Sequence, residues 1–544
     1  MSTPRPLRGP SPALASFAAL ASFAALVTAT PVEAQVCQSD PLQASLQYLR
    51  RLSLDLRGRL PDQAELESVV TNGGIDPAIV AAMVRSEESV ASARAFHREL
   101  LWLNVADQRI ANQNWRLVLR RNADGTNSDI LWMNSTGRAN AYRGSPSATC
   151  LDEPARFDAN GVIQTTPDAN NANIRREGWV EIAPYWDPTT RVKVCAFDAQ
   201  AATTATVRGR TVQCRNTVAA GCGCGQDLRW CHSQPARTEA TILAALNEQT
   251  LRFIDRVVRD GRPYTDLLTS KEMDVNGPIV HYLRYLTEGG QGQLWGSPEI
   301  NATLPNLPYS DANWQTLTRG ALHSGLLTMP AFLIKFQSDR GRANRFYNAF
   351  LCQHFEAPAG GLPPADDPCN QEPDLTKRCG CRYCHVAVEP AASYWGRFSE
   401  AGFVPLNPAD FPSYRAACAG ANANSDPLCR RFYLTSPGHP DEEPFRGWLR
   451  SYVFADAATQ NNVETGPVGI ANTAITNGAF ARCAVKQAWE RLLAREEQAL
   501  DAETLDGLVA EFAASNYDYR VLLEKIANRP EYVFAGRYDG KENR

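Results

Sequence analysis

Apolar residues recur at helical spacing along most of the chain. Leu42, Leu46, Leu49, Leu52 and Leu56 fall near one face of a helix over 41–56. Gly58 ends it, and Leu60-Pro61-Asp62 opens a second helix with proline near the first turn. Asp76-Pro77 opens a third in the same way, expected to run to about residue 103, with His97 read as a packing or surface histidine. Helical periodicity returns over 238–259, where Ile242, Leu243, Leu246, Leu251, Ile254 and Val257 form the apolar set. Shorter helices are expected over 272–287 and 340–350. Near the C-terminus, Phe480, Val485, Trp489 and Leu493 mark a helix over 477–495. Two more follow at 501–514 and 519–528, the last closed by Arg529-Pro530.

Residues 107–240 break this pattern. Gly, Asn, Thr and Asp become frequent, and only Trp179-Val180-Glu181-Ile182 and Arg191-Val192-Lys193-Val194-Cys195 alternate as strands do, with Asp187-Pro188 turning between them. Residues 288–315, rich in Gly, Pro and Asn, read as a linker or surface loop. The fold class expected is mainly α: multi-helical, with a c-type haem domain and a disulfide-rich, partly β insertion. The expected divisions are an N-terminal helical domain (35–106), a Cys-rich loop/β insertion (107–240), a helical segment and linker (241–310), a haem-bearing domain (311–440) and a C-terminal helical domain (441–544).

Residues 1–34 have the form of a secretory signal peptide: Arg5 and Arg8, an apolar run from Ala13 to Ala29, then Val32-Glu33-Ala34 before Gln35. Export places the protein in the periplasm, outside the cell or at its surface; membrane association is expected only if this segment is not cleaved. A net charge of −4 without a basic block gives no footing for nucleic acid or acidic lipid. With 44% hydrophobic and 21% charged residues, the chain has the composition of a folded protein.

Fifteen cysteines in an exported chain point to disulfides, but two stand in a different setting. Cys381-Arg382-Tyr383-Cys384-His385 reads C-x-x-C-H, the pattern of covalent c-type haem attachment. Two thiols at this spacing reach the two vinyl groups of one porphyrin, and the adjacent His385 supplies the proximal iron ligand. At this chain's Cys and His frequencies the pattern arises by chance roughly 0.005 times. The alternatives are a zinc cluster of Cys379, Cys381, Cys384 and His385, or a disulfide. Thirteen other cysteines remain, an odd number, so at least one is unpaired or otherwise used. Cys418 and Cys429 bracket a short loop and are expected to pair, as are Cys352 and Cys369. Cys224, followed six residues later by Cys231-His232, is a stretched and weaker version of the haem motif, and a candidate for a second haem beside the one haem c expected.

Three stretches carry a family resemblance. Arg50-Arg51-Leu52-Ser53-Leu54-Asp55-Leu56-Arg57-Gly58-Arg59-Leu60-Pro61, then Arg319-Gly320 with Gly325-Leu326-Leu327-Thr328-Met329-Pro330-Ala331-Phe332-Leu333, then Cys381 to Pro390 with Gly396-Arg397-Phe398, resemble secreted haem-linked proteins of planctomycetes and myxobacteria built from several domains of unknown function. The helices over 479–534 are similar to the C-terminal domain of that family. The resemblance implies a secreted c-type haem protein and names no substrate.

The sixth iron ligand separates electron transfer from activation of peroxide or dioxygen. No methionine follows His385, and the one downstream histidine is His439. Met329 and His439 are therefore the candidates, with His323 and His354 behind them; an open site is the third option. The first function expected is electron transfer through one haem to a redox partner protein. A haem-dependent oxidoreductase of peroxidase or oxygenase type and a cell-surface binding scaffold are the alternatives. No Ser-His-Asp signature, phosphate loop or zinc-protease helix motif favours hydrolysis.

Overall fold

The computed structural model describes residues 41–534, apart from 111–112, 123, 208, 215–217, 220, 287–302, 357–362, 365, 373, 399, 401–405, 407 and 451–456. The expected signal segment, residues 1–34, and Cys37 lie outside the described residues.

The fold is mainly α, with a five-stranded sheet in the insertion. The first helix, Pro41–Arg57, buries Leu49, Leu52 and Leu56, each worth roughly 1.5–3 kcal/mol against exposure. Asp62 and Glu65 form a reciprocal capping box at the start of Gln63–Asn72, and Gly73, at φ 69°, ends that helix where a side chain would be strained. The long helix expected from Asp76 is two helices, Pro77–Val84 and Glu87–Leu101. Ser86 interrupts it: its hydroxyl accepts from the Ser89 amide and begins a new helix. His97 is buried, its Nδ1 against the Ala93 carbonyl and its Nε2 against the Tyr264 hydroxyl, both at 2.7 Å. It is a core histidine.

One apolar cluster runs from Leu49 to Tyr532 and takes in the helices Thr238–Arg259, Asp339–Phe350 and Ala479–Leu493. The N-terminal and C-terminal helices meet in it: Arg51 donates to the carbonyls of Leu492 and Tyr532, and the Tyr532 hydroxyl donates to Asp55. Residues 272–287 are not one helix. Glu272–Val275 is a strand paired antiparallel with Gln315–Thr318, and Asn276 then caps the short helix Gly277–His281. Asn276-Gly277-Pro278 is a helix start, which leaves the residues before it extended.

The insertion holds its own sheet. The strands lie in the order Trp179–Ile182, Val192–Cys195, Asn127–Met133, Arg116–Arg121, His232–Ser233. The two expected strands pair antiparallel, Trp179 opposite Cys195. Between the sheet and its covering helix, Thr136–Arg143, Arg143 is fully buried and bonds both Glu177 and Asp198, which are also fully buried. Disulfides Cys150–Cys195, Cys214–Cys222 and Cys224–Cys231 staple the region.

Three further disulfides lie outside it. Cys418–Cys429 forms as expected. Cys352 does not pair with Cys369: it joins Cys483, and Cys369 joins Cys379. Among the described residues twelve cysteines form six disulfides. Among the described residues no helix is long and apolar enough to cross a membrane.

Candidate haem-attachment site

The C-x-x-C-H motif occupies the first two turns of the helix Cys379–Ala392, here called the motif helix. Its entrance is tied down. Asp374 accepts from the backbone and hydroxyl of Thr376, Arg378 donates to the Glu372 carbonyl, and the Cys369–Cys379 bridge clamps the preceding turn to the first helical residue. That bridge also removes Cys379 from the four-ligand zinc set. Cys381 and Cys384 are the two reduced cysteines among the described residues, each partly exposed.

Cys381, Cys384, His385 and Val388 follow i, i+3, i+4, i+7 spacing and share one stripe of the motif helix. The stripe is covered at its far end, where Val388 and Ala392 are buried, and uncovered at the motif, where a quarter of the His385 side chain is exposed. Tyr383 and Val386, on the other side, face solvent.

The helix Asp339–Phe350 braces the motif helix along its length. Arg342 of this brace is fully buried and binds Asp339 at 2.6 Å and the carbonyls of Phe336 and Phe398 at 2.9 and 3.2 Å. Burial pushes the Asp339 carboxyl well above the usual carboxylate range, with Arg342 opposing the shift. One guanidinium thus joins the segments before and after the motif. At the far end, Trp395 is fully buried and donates from Nε1 to the Leu327 carbonyl at 3.0 Å. This contact packs the 325–333 stretch against the end of the motif segment, so Trp395 serves the main core.

His385 is oriented by two residues outside the motif. Its Nδ1 lies 2.5 Å from Oε1 of Glu389, one turn on, and Nε of Arg340 from the brace helix lies 2.6 Å from the same oxygen. A carboxylate only accepts, so Nδ1 carries the hydrogen and Nε2 is left as the donor atom to a metal. The i, i+4 relation of His385 to Glu389 was visible in the sequence; Arg340, 45 residues earlier, had no signal there.

The other candidates fall in different places. Met329 is fully buried in the main cluster, two residues from the Leu327 carbonyl that Trp395 binds. Trp395 closes the 3-10 turn Ser393–Trp395 that follows the motif helix, ten residues past His385. His439 lies half-buried in a turn preceding the 3-10 segment Pro440–Phe445. Neither turn is among the main packing partners of the motif helix. His323 has both ring nitrogens engaged, with Thr328 at 2.8 Å and the Glu272 carbonyl at 3.2 Å, and burial brings its pKa down to about 3. His354 is exposed, and its stretch passes the motif: the Glu356 carbonyl oxygen is 4.0 Å from Cys384 Sγ. It also lines a cleft of about 620 Å³ with Phe96, Leu100, Lys486 and Arg491.

The stretched motif in the insertion does not offer a second haem site. Cys224 and Cys231 are bonded to each other, and His232 is buried in a strand with its Nδ1 3.8 Å from Glu239. Cys150, Glu177 and Cys195 cluster as a metal site would, but the two sulfurs form a disulfide and Glu177 binds Arg143. Comparison of the chain with protein-family models, with curated proteins and with solved structures found no match to any of them.

Proposed function

We propose that the chain is an exported c-type haem protein that transfers electrons through one covalently held haem to a redox partner protein. The observation that carries this reading is the contrast among the cysteines: every other described cysteine is in a disulfide, while Cys381 and Cys384 stay reduced, one turn apart, beside His385. The donor set fits the group. The two thiols would hold it by thioether bonds, and His385 would bind the iron through Nε2. The uncovered end of the motif stripe supports this, since a porphyrin there would continue the burial that Val388 and Ala392 already have. A haem so held supplies a one-electron ferric/ferrous couple. The chain's own residues fix its position: the Cys369–Cys379 bridge anchors the helix start, the brace helix supports its back, and Glu389 sets the imidazole.

Six disulfides fit an oxidising compartment, where covalent haem attachment also takes place, and the expected signal segment supports periplasmic or secreted placement. The test is expression with residues 1–34 in a host competent for c-type maturation, followed by a pyridine haemochrome assay and intact mass. One haem per chain is expected, lost in a C381A/C384A variant that keeps its helical circular dichroism. A wild-type chain carrying no covalent haem overturns the reading.

A further inference from the structure

We infer that Glu389, held in place by Arg340, is the positioning residue behind the proximal ligand: it fixes the ring of His385 and makes the imidazole a stronger electron donor, biasing the iron toward the ferric state. The inference rests on the haem reading above.

The geometry is unusual for a merely structural ion pair. Glu389 is 2% exposed, and burying a carboxylate costs several kcal/mol unless its oxygens are well partnered. Here Oε1 shares a hydrogen bond with His385 Nδ1 at 2.5 Å and an ion-pair contact, without hydrogen-bond geometry, with Arg340 Nε at 2.6 Å, while Oε2 is buried without a hydrogen-bond partner. A glutamate kept only to join two helices gains little from that arrangement, because an apolar side chain of similar volume commonly stabilises such a site as well or better. What the carboxylate does achieve is directed at the imidazole. A charged acceptor bonds the Nδ1 hydrogen more strongly than a neutral carbonyl would. The bond holds the tautomer that leaves Nε2 as the ligand atom, and it pushes electron density through the ring toward a bound metal. Arg340 offsets the cost of the buried charge and, by sharing Oε1, limits how strongly Glu389 acts on His385.

Two substitutions should therefore move the midpoint potential in opposite directions. Glu389→Gln keeps the shape and removes the charge, so ferric iron loses its support and the potential rises. Partners behind metal-ligating histidines typically matter 10–100-fold; a tenfold change in the ferric/ferrous ratio is about 59 mV for one electron. Arg340→Gln leaves Glu389 on His385 without its counter-charge, and the potential falls. Glu389→Asp keeps the charge but draws it back from Nδ1; it should also raise the potential, by less than Glu389→Gln. A role confined to packing would lower the melting temperature and leave all three potentials at the wild-type value.

The measurement is spectroelectrochemical titration of full-length chains, each first shown to carry one covalent haem. A rise for Glu389→Gln with a fall for Arg340→Gln supports the inference. Unchanged potentials in haem-loaded variants overturn it and leave the haem reading intact. If Glu389→Gln does not accumulate, Glu389→Asp and Arg340→Gln decide in the same way. A wild-type chain without haem overturns the function proposed above, and this inference falls with it.

Discussion

Removing the Cys352–Cys483 disulfide should destabilise the fold and, on the proposed function, leave the haem content unchanged. The bridge spans 131 residues and joins the end of the brace helix to the helix Ala479–Leu493, where Gln487 also donates to the Ala349 carbonyl at 3.0 Å. Treated as loop closure in the unfolded chain, a loop of this length contributes about 5 kcal/mol. An unfolding entropy of about 2.1 cal/mol/K per residue gives about 1 kcal/mol per degree for a chain this size, so the midpoint should drop by about 5 °C. The variant is C352S/C483S, changed at both ends so that no lone thiol competes with Cys381 and Cys384 for haem or forms a wrong disulfide. Calorimetry of wild type and variant reads the shift, and a pyridine haemochrome assay reads the haem, expected to stay at one per chain. Peptide mapping without reduction checks the premise. Cys352 found linked to Cys369, or a loss below about 1 kcal/mol, would refute the reasoning.

Replacing Cys224 and Cys231 by serine opens a disulfide of sequence separation 7, so a loss of about 2 kcal/mol is expected, with the haem count unchanged; a drop in haem content would restore the insertion as an attachment site. Met329→Ala should cost about 2–5 kcal/mol in denaturant unfolding because the side chain is fully buried in the main core, and the visible spectrum should stay as in wild type; a changed spectrum would make Met329 an iron ligand. Burial lowers the His97 pKa to about 4 against about 6.5 in an unfolded chain, so the unfolded state binds more protons between those values. Stability attributable to His97 is then complete above pH 6.5 and lost as the pH falls toward 4, by an amount on the order of 3 kcal/mol. Unfolding of His97→Gln between pH 7 and pH 4 should show a correspondingly flatter dependence, and an unchanged slope would count against a neutral buried imidazole.

How far the site could be read from the sequence follows from which interactions are local. Attachment through two thiols and an adjacent imidazole requires neighbouring residues, so Cys381, Cys384 and His385 announce themselves as a string. Helix stripes were legible for the same reason, and so was the start at Asp76-Pro77; the break at Ser86 was not, because the apolar period continues through it and only a hydroxyl cap ends the first helix. A disulfide that closes a short loop, Cys418–Cys429, can be read locally, but distant partners carry no such signal: Cys352 finds Cys483 rather than Cys369 because the brace helix ends beside Ala479–Leu493, a fact of packing. In the insertion, Arg116–Arg121 and Asn127–Met133 pair across a short turn and become the centre of the sheet, although the polar composition around them suggested loop. The same division runs through the candidate site. The proposed ligand His385 is sequence-local, its partner Glu389 is one helical turn away, and Arg340 arrives only when the brace helix docks. The far side of a haem held by His385 would depend still more on tertiary structure. The stretch carrying His354 reaches the motif from more than 25 residues upstream, held by the Cys352–Cys483 bridge, and no spacing rule ranks it above Met329 or His439. Sequence therefore indicates what the chain would hold, while the packing of distant helices sets how that group would behave.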